Sequence, residues 1–169
     1  MHDLHPRKAG IVACSGEELA EGTVTRLAAL KVLHELRPAN TGTICLPLFL
    51  AGGEGDRAFA RFHPTITVDG CELRCAARGT EMYSGKPAAS IVVNELAAER
   101  GVGKIEGRRC LNEAGKQVVD VTAQRLAELV DQLVGKGETS GHATESAPLT
   151  NEAKVATCSC GSGVSVTSC

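Results

Sequence analysis

The sequence predicts an α/β fold: a three-layer domain on a four-stranded, mainly parallel sheet of the Rossmann-like or flavodoxin-like kind, followed by a flexible C-terminal tail. Three observations predict it. Four short apolar or β-branched runs recur at residues 9–13, 41–44, 65–68 and 89–93. Segments with helical periodicity separate them, and that alternation marks parallel strands joined by crossovers. The first and fourth runs are apolar without alternation, as in strands covered on both faces.

The elements follow in order. Residues 9–13 form the first strand, which ends at Cys14-Ser15-Gly16. Thr23 is the expected N-cap of a helix of about four turns. Val24, Leu27, Ala28, Lys31 and His34 lie along one row of it, and Pro38 stops it. The brief second strand, 41–44, ends at Cys45-Leu46-Pro47. Residues 48–62 carry Gly52, Gly53 and Gly55 and are expected to be a loop with a short helix over 56–62. The third strand, 65–68, breaks at Asp69-Gly70 and delivers Cys71. A helix over 72–84, closed by Gly85 with Pro87 beyond, would place Cys71 and Cys75 on one face of its first turn. The N-terminus of such a helix lowers a thiol's pKa. After the fourth strand, 94–109 is rich in charge and glycine and supports no assignment. The last helix, 112–134, has an apolar face of Val118, Val119, Thr122, Leu126, Leu129, Val130 and Leu133.

Composition excludes several functions. The 169 residues carry a net charge of −2, which gives no reason to expect nucleic acid or an acidic membrane as a partner. Phe49, Phe59, Phe62 and Tyr83 are the only aromatics, too few for a base-stacking platform. No run of 18 apolar residues is present to span a membrane. The polar start, 1–8, lacks the apolar region of a signal peptide, so a cytoplasmic location is expected. Eight cysteines in that compartment read as metal or redox chemistry rather than structural disulfides. Residues 1–136 are therefore read as the domain. A polar linker follows over 137–157, and a tail over 158–169 bears Cys158, Cys160 and Cys169.

In a parallel α/β sheet the ligand sits outside the carboxyl ends of the strands. Cys14, Cys45 and Cys71 each end a different strand there, and Cys75 follows Cys71 by four residues. Four buried small hydrophobes would be the bland reading, but coincidence at three strand ends argues for a thiol cluster. Zinc is the default ligand because it accepts an all-thiolate tetrahedron and is redox-inert; an iron–sulfur cluster takes the same four donors. Cys110, after Arg108 and Arg109, reads as structural, and the five histidines (His2, His5, His34, His63 and His142) as solvated surface. Arg26 lies twelve residues past Cys14, too far for a cysteine-phosphatase loop, and no dinucleotide or Walker A motif occurs. Cys158 and Cys160 are two apart, so an extended chain points both sulfurs the same way, which suits a two-thiolate grip on a soft metal or a strained, easily reduced disulfide.

Ala13-Cys14-Ser15-Gly16, Cys45-Leu46-Pro47 and Val68-Asp69-Gly70-Cys71-Glu72-Leu73-Arg74-Cys75, in this order, resemble the DGC-domain family. The resemblance covers roughly 9–134, is most specific around Cys71, and implies that Cys14, Cys45, Cys71 and Cys75 form a zinc site. The expected function is a metal-binding protein whose tail thiols exchange metal or disulfide, with a metal- or thiol-exchange protein as partner. The alternative is a thiol–disulfide or metalloid-reducing oxidoreductase that uses domain and tail cysteines.

Overall fold

The computed structural model describes residues 8–135. Its strands are β1 (Ala9–Ala13), β2 (Thr41–Ile44), β3 (Thr65–Asp69) and β4 (Ala89–Val92), paired in parallel in the order β2-β1-β3-β4. The register sets Ile11 beside Thr43 and Ile66, and Val68 beside Ile91. The chain first runs outward from β1 to β2, then reverses across β1 to β3 and β4. Right-handed crossovers require such a reversal to put the connecting helices on opposite faces. The helices are α1 (Ala20–Lys31, prolonged by a π-helical turn, Val32–Leu36), α2 (Leu46–Leu50), α3 (Glu54–Phe62), α4 (Cys75–Tyr83), α5 (Val93–Glu99) and α6 (Glu113–Gly135).

Two apolar layers result. Ala9, Ile11, Ile66, Val68 and Ile91 pack with Val24 and Ala28 of α1, Leu96 of α5, and Val118, Leu126 and Val130 of α6. On the other face Val12 and Ile44 pack with Leu46, Phe49 and Ala76. Successive strand residues thus feed opposite layers, which is why β1 reads as continuously apolar. The three-layer α/β domain with a four-stranded parallel sheet is the fold expected from the sequence.

Several boundaries differ from expectation. Helix α1 starts at Ala20, three residues before the proposed Thr23 cap, and Leu19 at its N-cap makes no side-chain bond. The Thr23 hydroxyl instead donates to the carbonyl of Arg108. Helix α2 replaces part of an expected loop: Pro47 in its first turn has no N–H to leave unpaired, and Arg57 donates to the carbonyls of Phe49 and Leu50 at its end, at 2.8 and 3.1 Å. Helix α5 occupies the start of the unassigned stretch.

Arg37, just past the π-helical turn, clasps α6 through a bidentate pair with Asp131, each bond 2.6 Å. The hydrogen bond from Arg37 holds the Asp131 carboxyl below its ordinary value. A depressed carboxylate contributes stability above its unfolded pKa and loses it as pH falls through the folded one. Both side chains are more than a third exposed, so Arg37→Gln should cost only a few tenths of a kcal/mol at neutral pH. That cost should vanish below the ordinary carboxylate range, as checked by urea unfolding at the two pH values.

Candidate metal centre

The sheet order places β1 between β2 and β3, so the chain's reversal opens a switch point between β1 and β3. The Cys14 N–H donates to the Val68 carbonyl at 2.9 Å, extending the β1–β3 ladder to the edge where that switch point lies. Beyond it, the Gly70 N–H donates to Cys14 Sγ at 3.3 Å. The Thr25 hydroxyl, buried in α1, donates to the Gly22 carbonyl at 2.7 Å and accepts the Ser15 N–H at 3.1 Å. Its single proton is thereby used, so a protonated Cys14 is the donor in the 3.7 Å Cys14–Thr25 contact.

Two glycines permit this packing. A Cβ on Gly22 would stand 1.8 Å from the Gly16 carbonyl oxygen, and one on Gly70 would lie 3.1 Å from the backbone of Glu21 and Gly22. Gly22→Ala should therefore force apart the Cys14–Gly16 turn and α1, at a cost of roughly 1–3 kcal/mol, read by thermal unfolding. An unchanged midpoint would show that the turn is loose. Ser15, at φ 49°, and Arg74, at φ 53°, are both left-handed without being glycine. They lie next to Cys14 and Cys75, as strained residues often do at functional sites.

The Asp69-Gly70-Cys71 stretch departs from expectation in a way that matters chemically. Helix α4 begins at Cys75 rather than at Glu72. Cys71 lies in the preceding turn, its carbonyl accepting the Arg74 N–H at 3.1 Å, so Cys71 and Cys75 do not share the first turn of a helix. The cause is Asp69. Its carboxylate, 1% exposed, accepts the Ala76 N–H at 2.7 Å and the Ala77 N–H at 3.1 Å, and so fixes where the helix starts. Burial pushes the Asp69 carboxyl up from its ordinary value, against the pull of those two N–H groups and of Arg74.

Cys75 also departs from the acidity expected of it. Partial desolvation of its sulfur, then the negative charges of Cys14, Asp69 and Cys71, push the thiol of this exposed residue up rather than down. The N–H groups that would have stabilised a thiolate at this helix start are taken by Asp69, which adds a like charge nearby. Cys45 stands at the end of β2 with its carbonyl accepting the Phe49 N–H at 2.8 Å, and is exposed.

Cys14, Cys45, Cys71 and Cys75 are all free thiols. Three follow adjacent strands at one sheet edge, and Cys75 opens the helix beyond the third. Among the described residues, no three His, Cys, Asp or Glu side chains are close enough together to hold a metal ion. The fit to zinc is therefore one of donor chemistry: four thiols, with negative charge crowding Cys75 that a cation would relieve. Their spacing is not that of a closed coordination shell. Cys158, Cys160 and Cys169 lie outside the described residues.

Sequence reasoning missed Thr25, Gly22 and the helix-starting role of Asp69. An Asp-Gly pair signals a turn, and nothing local marks a carboxylate that serves N–H groups seven and eight residues on. No curated protein and no solved structure matches the chain. The model of the DGC domain matches residues 10–130, and the chain belongs to the DGC-domain family.

Proposed function

We propose that the domain is a metal-binding protein holding one zinc ion through the thiolates of Cys14, Cys45, Cys71 and Cys75. The observation that carries this reading is the delivery of free cysteines by β1, β2 and β3 to one sheet edge, with Cys75 just past the third. Zinc bound there would tie three strands and α4 together and neutralise the charge around Cys75. Gly70 N–H and Asp69 are the chain's own supports: one steadies the Cys14 sulfur, the other fixes where Cys75 stands. An iron–sulfur cluster is the competing occupant of the same donors and would colour the protein.

A thiol–disulfide oxidoreductase needs an acidic nucleophilic thiol; Cys75 shifts the other way and does not supply one. Elemental analysis of the purified chain tests the binding reading: one zinc per chain supports it, and none after growth with added zinc removes it. Because each ligand must lose its proton, zinc affinity should fall as pH drops. We further propose that Cys158 and Cys160 exchange metal or disulfide with this site or with a partner protein. Truncation after Gly137 and the double change Cys158→Ser/Cys160→Ser should both slow release of zinc to a chelator. Equal rates in all three chains would leave the tail without a part in exchange.

A further inference from the structure

Beside the thiol edge lies a two-part cleft that shares only Cys45 with the zinc reading. One lobe, about 660 Å³, is bounded by the Ser15-Gly16 turn, the exposed face of α1, and Arg108 and Arg109. The other, about 310 Å³, is lined by Ile11, Ala29, Leu33, Leu46 and Pro47 and reaches Cys45. Ser15, Glu17, Arg26 and Leu30 wall both, so the two lobes adjoin. Each falls within the roughly 300–1,000 Å³ typical of small-molecule sites.

The charged side chains around this cleft are unequal. Arg26, Arg108 and Arg109 face Glu17 alone. Among the described residues, none of the three guanidinium groups enters an ion pair. The loop that carries two of them is nonetheless firmly built. Asn112 Oδ1 accepts the Glu106 and Gly115 N–H groups at 3.2 and 2.8 Å, and its Nδ2 donates to the Lys104 carbonyl at 3.0 Å. Gly107, at φ +88°, turns so tightly that a Cβ would stand 1.9 Å from the Cys110 carbonyl oxygen. The Thr23 hydroxyl ties the Arg108 carbonyl to α1. Three guanidinium groups carried by a helix and a braced loop, with no ion-pair partner among the described residues and next to an apolar lobe, favour a ligand with a planar or tetrahedral anionic head and a hydrocarbon body.

We propose that this cleft binds a small organic anion. Its carboxylate or phosphoryl head is held by Arg26, Arg108 and Arg109, and its apolar body lies in the lobe between α1 and Leu46, ending beside Cys45. The head site is independent of the zinc reading, since none of its residues is one of the four cysteines; only the far end of the apolar lobe meets Cys45.

The test is calorimetric titration of the full chain with octanoate, hexyl phosphate and 1-octanol. Octanoate or hexyl phosphate should saturate at one per chain, and the tighter of the two identifies the head group. 1-Octanol should bind at least about tenfold more weakly. The double change Arg26→Gln/Arg109→Gln should weaken the anion by about tenfold to a hundredfold while leaving zinc content unchanged. Should that variant lose its circular dichroism spectrum, the salt dependence of the native chain decides, because a charge-held head must bind more weakly at high salt. Failure of both anions to saturate, equal binding of 1-octanol, or affinity indifferent to the arginines or to salt would overturn the proposal.

Discussion

Cys71→Ser should leave the purified protein with far less than one zinc per chain and should lower its stability in zinc-containing buffer. Cys71 follows the strand next to β1, and its charge, like that of Cys14, reaches Cys75. A serine hydroxyl keeps the shape but is neutral and hard at physiological pH, and offers zinc no comparable bond. A ligand present at a thousand times its dissociation constant stabilises the folded state by about 4 kcal/mol. The substitution should remove a sum of that order, and a chelator should remove the same sum from the native chain. The sharper expectation is that the chelator then does nothing further to Cys71→Ser. The two large layers of the core make no use of Cys71, so the variant should still fold. If Cys71→Ser keeps stoichiometric zinc, the metal is held elsewhere.

The sheet was legible because its strands announce themselves: β1 is buried on both faces, and β3 is β-branched from Thr65 to Val68. Once the strands are parallel, the ends of β1, β2 and β3 must lie at one edge, so the grouping of Cys14, Cys45 and Cys71 needed no tertiary knowledge. What lay hidden was how the backbone closes around them. Thr23 looks like a cap, yet the helix begins at Ala20 because Gly22 lets its first turn approach the Gly16 carbonyl. Glu72 looks like a helix start, yet Asp69 and the left-handed Arg74 delay it to Cys75. Both misreadings concern contacts between segments far apart in sequence, which periodicity and local propensity cannot register. The arginine-lined cleft was hidden for the same reason, since Arg26 and Arg109 meet only when α1 lies beside the loop that precedes α6.

Asp69→Ala should destabilise the domain by about 2–4 kcal/mol while making Cys75 more reactive, a pairing that a simple loss of packing would not produce. The stability loss follows from the geometry. Ala76 and Ala77 are 0% and 4% exposed, and their N–H groups lose both acceptors at once, each orphaned donor costing about 1–3 kcal/mol. Release of a carboxylate that burial already disfavours offsets part of this, which keeps the sum toward the lower half of the range. Asp69→Asn should recover part of the loss, because an amide offers one oxygen to Ala76 but turns its NH₂ toward the Ala77 N–H, donor against donor. The reactivity change has the opposite sign. With Asp69 gone, Cys75 loses a negative neighbour that holds its thiol up, and the start of α4 regains N–H groups able to support a thiolate. Chemical unfolding of the metal-free protein gives the first quantity, and the rate at which iodoacetamide alkylates Cys75 at neutral pH gives the second. A variant of unaltered stability would dispose of Asp69 as the anchor of α4. A variant that is less stable but alkylated no faster would leave the cap standing and remove the electrostatic account of why Cys75 is held protonated.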